Sequence, residues 1–236
     1  MEFNGFSKEV IPFLKEIRDN NNKEWFLTQK SRYEKLILNP SRDFVEEMGE
    51  HLMAIEPSIN AIPKINASLF RIYKDIRRNK TALSDPIKTR VGYIFWQGRG
   101  KRLQSSSFYL HYGIDELFVS VGIRWFEKEM LDTYRAYIKD ETKREALVSI
   151  LKELEYKGYK TLEPSMKRYP KGFTKEMSHA ELSLYKEMAA YKKYDSHLIE
   201  EGEKLIETLY KDYEVMAELQ KWIYEMSISG KKIGSK

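Results

Sequence analysis

The sequence contains no cysteine. That one absence removes disulfides, thiolate metal sites and cysteine nucleophiles together. Histidine is scarce as well, limited to His51, His111, His179 and His197. None of these stands at His-x-His or His-Glu-x-x-His spacing, so no zinc site is expected. No apolar run approaches the roughly 18 residues of a membrane span. The opening stretch "MEFNGFSKEVIPFLKEI" lacks a basic leader and an unbroken apolar core, so no signal peptide is expected. A soluble, cytoplasmic protein without membrane attachment is therefore the expectation. Gly-Lys-Ser/Thr phosphate cradles, Gly-x-Ser-x-Gly elbows and Gly-x-Gly-x-x-Gly fingerprints are all missing. No cofactor is implied.

What is present is enough for a proper core. The chain has 236 residues, of which 42% are hydrophobic and 13% aromatic. A third are charged with both signs mixed, which is not the composition of a disordered chain. Positive charge is nonetheless concentrated. Lys64 to Arg102 holds eleven Lys and Arg against Asp75 and Asp85, while the whole chain nets only +5. Such a patch raises the local concentration of anions. It is densest in "FRIYKDIRRNKTALSDPIKTR", Phe70 to Arg90. A solvated basic surface is the plain alternative.

Period separates the chain into three parts. Phe6, Val10, Phe13, Leu14 and Ile17 fall at helical spacing, and Asn20-Asn21-Asn22 breaks it. A second helix from Lys23 carries Trp25, Phe26, Tyr33 and Ile37, with both Trp25 and Phe26 expected to anchor it in the core. Asn39-Pro40 is expected to end that helix and open a third, running to about Ile55. The middle then alternates in "NASLFRIYKDIR", "GYIFWQ", "SSFYLHYG" and "ELFVSVGIR", which predicts four strands. Helical period returns from Glu127 to Ile138 and from Lys143 to Tyr156. A short helix near Ala180–Tyr185 and a strand in "MAAYKKY" follow. One long helix is expected from Ser196 to Met226, because Leu205, Leu209, Tyr213, Met216, Leu219, Ile223 and Met226 make one stripe. No repeat or linker divides the chain. The expectation is a single α+β domain over residues 1–226, a central, mostly antiparallel sheet covered by N- and C-terminal helices. Residues 227–236 read as a disordered basic tail.

Read as a strand, the basic stretch sorts into two faces. Phe70, Ile72 and Ile76 point one way; Arg71, Tyr73, Asp75 and Arg77 point the other. An aspartate between two arginines stays ionised and holds their guanidinium groups in place, an arrangement suited to carboxylate or phosphate. Lys74 interrupts the apolar face. Tyr109 and His111, then Ser120 and Arg124, are candidates to join from neighbouring strands. Beyond Arg77 come Arg78, Lys80, Lys88 and Arg90, with Asp85-Pro86 at a turn, a basic loop able to close over the row. Asp75 and His111 are the candidate acid–base groups, His111 reading first as a hydrogen-bonded strand residue. Two-metal chemistry needs convergent carboxylates, which Asp75 and Asp85 alone do not supply, so no metal is expected.

Three segments together resemble a known family. "NNNKEWF" (Asn20–Phe26), "FRIYKDIR" (Phe70–Arg77) with a later Pro-x-Lys, and "KRYPKGF" (Lys167–Phe173) resemble the bacterial domain of unknown function 2461. The resemblance spans Phe6 to about Ile223. Arg71, Lys74, Asp75 and Arg77 match its Arg-x-x-Arg/Lys-Asp-x-Arg core, Lys88 its Pro-x-Lys, and Lys171-Gly172-Phe173 its ending after Pro170. The chain departs in the loop, which is about two residues longer, with Arg78-Asn79 after Arg77 and Ile87 where an aromatic is usual. The resemblance implies a single-domain cytoplasmic protein and no particular reaction.

Three readings follow. The first is a domain that binds an anionic, phosphate-bearing partner, a small molecule or nucleic acid, through Arg71, Tyr73, Lys74, Asp75, Arg77, Lys88, Arg90 and Lys171. The second is an enzyme on a phosphorylated or carboxylated substrate. The third is a protein-interaction module without a small ligand.

Overall fold

The computed structural model describes residues 3–75 and 84–230. The alternating runs of the middle third become strands, because their aromatic and β-branched side chains suit a pleated surface buried on one side. The strands are β1 (Ile59–Asn60), β2 (Arg90–Gln97), β3 (Ser107–Gly113), β4 (Leu117–Ile123), β5 (Lys160–Thr161) and β6 (Met188–Tyr194). They form one six-stranded antiparallel sheet in the order β1-β2-β3-β4-β6-β5. Helices α1 (Val10–Asp19), α2 (Lys23–Thr28), α3 (Lys30–Tyr33) and α4 (Asn39–Ile55) precede it. Helices α5 (Lys128–Tyr137) and α6 (Glu141–Tyr156) lie between β4 and β5, and α7 (Gly202–Val215) and α8 (Ala217–Ser229) follow β6. The protein is α+β, as its periods predict. Among the described residues no helix is long and apolar enough to cross a membrane.

The chain groups into two compact units. The first comprises Met1–Phe95, Tyr109–Val119 and Lys193–Asp212. Its core lies between the helices and one sheet face. Tyr93, Phe95, Leu110, Tyr112, Leu117 and Val119 are at most 1% exposed. Phe44 of α4 sets its ring edge-on to Tyr93 at 4.9 Å, and Phe6 meets Tyr112 at 4.9 Å. The phenol of Tyr93 lies 2.6 Å from the Ser41 hydroxyl, which satisfies both groups inside the core.

Two expectations fail within this unit. Asn39-Pro40 does not break the helix. Instead α3 passes into α4 through a π-helical turn, Glu34–Leu38, in which the Asn39 amide bonds back five residues to the Glu34 carbonyl. Proline has no amide to give the preceding turn, and one widened turn absorbs that loss without ending the helix. The second failure is in the strand expected over Asn66–Arg77, of which Asn66–Asp75 lie within the described residues. Among its described residues only Leu69 and Tyr73 make antiparallel bridges, to Tyr93 and Ile87 respectively. Phe70 and Ser68 bond β2 through Gly92 and Ile94, after which Ile72 and Lys74 turn to Lys88 and Pro86. Its backbone groups are divided between two partners, so no continuous ladder forms.

The second unit comprises Trp96–Phe108, Ser120–Lys192 and Tyr213–Lys236. Its centre is aromatic: Trp222 of α8 takes the rings of Tyr134 and Tyr137 at 6.3 and 5.2 Å. Arg144, 4% exposed, donates to the Ile138 carbonyl at 2.9 Å and to Ser178 at 3.1 Å. A cation there meets the carbonyls left unpaired at the end of α5. The expected Ser196–Met226 helix is in fact a 3-10 turn (Ser196–Glu200), then α7 and α8, separated at Met216. Its apolar stripe holds through the interruption. Helix α8 also runs to Ser229, into the stretch read as tail; residues 231–236 lie outside the described residues.

Candidate functional site

The tripeptide Asn20-Asn21-Asn22 does three separate jobs. Asn20 donates from its side chain to the Glu16 carbonyl, closing α1. Asn22 accepts the Trp25 amide at 2.8 Å and so caps α2. Asn21 reaches 66 residues along the chain: its amide donates to the Ile87 carbonyl and accepts the Ile87 N–H, both at 2.9 Å. A side-chain amide here pairs as a β-strand backbone would. It fixes the return strand, and Lys88 with it. The next residues complete the junction. Phe26, 2% exposed, meets Tyr33 at 5.4 Å and Tyr73 edge-on at 5.6 Å. Burial pushes the Tyr33 phenol up to about 12. Trp25 differs from expectation and is only half-buried. The first two sequence motifs are therefore one piece of structure.

Asn21→Leu should remove both bonds to Ile87 and leave its backbone groups short of partners. A loss of about 1–3 kcal/mol is expected in chemical denaturation. Unchanged stability would show that the clamp carries no load.

The cations are placed by this junction. Arg71 pairs with Asp75 at 3.1 Å, an exposed contact. The Lys88 ammonium donates to the Arg71 carbonyl at 2.6 Å and stands 5.9 Å over the Phe70 ring. The Arg71 side chain is thus tied to Asp75, and the Lys88 ammonium to the Arg71 main chain. Tyr73 does not join them, because its ring turns to Phe26 rather than staying in an alternating row. Lys74 bonds Pro86 through its backbone and is half-buried; Arg90 is exposed at the start of β2. Arg77, Arg78 and Lys80 lie outside the described residues. Ser120, Arg124 and Lys171 belong to the second unit.

From Phe70 the site continues onto the second face of the sheet, which carries half-buried side chains rather than a sealed core. Phe70 meets Tyr109 edge-on at 5.9 Å. Tyr109 meets His111 at 5.7 Å and Phe118 at 6.4 Å, and His111 stacks on Phe118 at 5.0 Å. The far end is ionic: His111 Nε2 is 3.7 Å from Glu116, whose carboxylate takes Lys193 at 2.7 Å. Lys193 first, then His111, holds that carboxyl below its usual range. Sequence reading named Tyr109 and His111 but missed Phe118, Glu116 and Lys193. The alternation of "ELFVSVGIR" puts Phe118 on this face, though register was needed to bring it beside His111.

The third motif is structural. Phe173 is buried, and its amide bonds the Pro170 carbonyl at 3.1 Å across a turn. Gly172 takes φ +89°, where a side chain would be strained and would crowd Lys139. Lys171 itself is exposed. The second unit also has an open groove of 470 Å³ along β5, lined by Glu155, Tyr159, Lys160, Thr161, Leu162, Glu163 and Tyr191. Two carboxylates against one lysine make it a poor place for an anion.

Fold and face together define an α+β protein with an aromatic sheet surface edged by ordered cations. The chain belongs to the family described as conserved hypothetical protein (DUF2461), which it matches over residues 9–222. A search of curated proteins finds no match.

Proposed function

We propose that the first unit binds an anionic, phosphate-bearing ligand at the corner made by Arg71, Asp75 and Lys88. The observation that carries this reading is the bond from the Lys88 ammonium to the Arg71 main-chain carbonyl, at 2.6 Å, on the same residue whose guanidinium pairs with Asp75. The Lys88 ammonium is anchored on the Arg71 main-chain carbonyl and the Arg71 guanidinium on the Asp75 carboxylate. A guanidinium offers five donors and Asp75 uses only part of that fork, so a phosphate can be gripped by the rest. Lys74 and Arg90 add positive potential around the corner. The arrangement is pre-set, because Asn21 fixes Ile87 beside Lys88 before any ligand arrives.

Pyrophosphate is the test ligand, titrated by calorimetry at low and physiological salt. Arg71→Ala and Lys88→Met should each weaken binding at least about tenfold, the worth of one charge-assisted hydrogen bond. Arg18→Ala, at the end of α1, should leave it unchanged. Equal weakening by all three, vanishing with salt, would reduce the corner to a diffuse basic surface.

A further inference from the structure

The phosphate corner is one end of a longer surface, and the rest of that surface has its own chemistry. Gly92 sits in the middle of β2, where a side chain is normally an advantage. A Cβ there would stand 3.3 Å from the Tyr109 hydroxyl, 3.4 Å from Phe70 and 3.7 Å from His111. Tyr109 belongs to the next strand, so its ring must lean across Gly92 for its hydroxyl to arrive there. A ring laid over a neighbouring strand turns a π-face outward, which a ring standing off the sheet does not. Phe70 props it edge-on, and the stacked His111–Phe118 pair continues the row. Tyr109 is half-buried, so part of that ring is accessible. The Lys88 ammonium stands 5.9 Å from the Phe70 centroid, which is 5.9 Å from that of Tyr109. Cation and ring platform are thus separated by no more than the sum of those two distances, within the reach of one nucleotide.

Resting on the phosphate reading above, we propose that the ligand is a nucleotide, its phosphate on Arg71 and Lys88 and its base stacked on Tyr109. The polar inventory of the face favours this over a sugar phosphate. Beyond the corner its described residues are chiefly the rings of Phe70, Tyr109, His111 and Phe118, and the carboxylate at the far end, Glu116, is engaged by Lys193. A bare sugar ring would find too few hydrogen-bond partners there, whereas a base needs mainly a π-face.

Calorimetric titration of pyrophosphate, ribose 5-phosphate, AMP and a short deoxythymidine oligomer tests the assignment. On the unmodified protein AMP should bind about tenfold tighter than ribose 5-phosphate, the increment of one stacked base. Tyr109→Leu should erase that difference and leave ribose 5-phosphate binding unchanged, while Tyr109→Phe, which keeps the ring, should preserve it. If AMP and ribose 5-phosphate bind equally to the unmodified protein, the base assignment is overturned and the phosphate corner stands. If pyrophosphate fails to bind as well, both are overturned. An oligomer that binds far tighter than AMP, with steep salt dependence, would replace the nucleotide by a nucleic-acid strand.

Discussion

Gly122→Ala is expected to leave almost no folded protein. Gly122 lies in β4 with φ +140°, a backbone conformation that L side chains rarely adopt. A Cβ there would stand 2.1 Å from the Met188 carbonyl oxygen and 2.7 Å from the Ala189 Cα. Both are backbone atoms of β6, the strand beside β4 in the sheet. They cannot rotate away as a side chain would, so relief requires β4 and β6 to part. Strain and lost pairing together should cost at least about 4 kcal/mol, a large share of a typical total of about 5–15 kcal/mol. Soluble yield and the thermal transition read this directly. Gly158→Ala is the control: it also has positive φ, +85°, but nothing within 4 Å of the added carbon. That variant should lose only about 1 kcal/mol of backbone strain. A Gly122→Ala protein that melts like the Gly158→Ala protein would show that β4 and β6 are not packed as closely as described.

Phe26→Ala should have the next largest effect, and it should reach the site as well as the fold. The ring is 2% exposed and touches Tyr33 and Tyr73, so it ties α2 to the segment that carries Arg71 and Asp75. Truncation of a buried aromatic typically costs about 3–5 kcal/mol. With the Phe26–Tyr73 contact gone, the segment loses one of its few anchors, because it has no continuous strand ladder to hold it. Pyrophosphate binding is therefore expected to weaken in parallel with stability. Trp25→Ala is the discriminating partner. Trp25 is half-buried, so its removal should cost only about 1 kcal/mol, near the centre of ordinary substitutions. Denaturant midpoints of the two variants give the comparison. Equal losses would place Trp25 in the core after all, and loss of binding in Trp25→Ala alone would make it a ligand contact.

The contrast between Trp25 and Phe26 shows where sequence reading stops. Both residues carry the helical stripe of α2, and both look apolar enough for the core. Which one is buried depends on whether Tyr73 and Tyr33 lie on its side, and those partners are distant or out of phase in sequence. The hairpin strands were easier. The stretches "GYIFWQ", "SSFYLHYG" and "ELFVSVGIR" became β2, β3 and β4 with ends shifted by at most two residues. Their pairing partners are their neighbours along the chain, and a three-residue turn between β3 and β4 sets the register there. The segment Asn66–Asp75 has the same alternation and is not a continuous strand, since it shares its backbone bonds between β2 and its own return.

By itself the sequence determined the α+β class, the hairpins of the sheet, the helical ends, the family and the gathering of positive charge around Arg71 and Lys88. Those properties are written in period, turn chemistry and composition, which act over a few residues at a time. Only the tertiary structure decided that Asn21 clamps Ile87, that Pro40 sits past a π-turn rather than a helix end, and that Tyr109 leans over Gly92. Each of these depends on a backbone group meeting a partner that local pattern does not name. A single polar side chain satisfying a buried amide 66 residues away leaves no periodic trace, yet the cost of leaving that amide unpaired is what holds the site together.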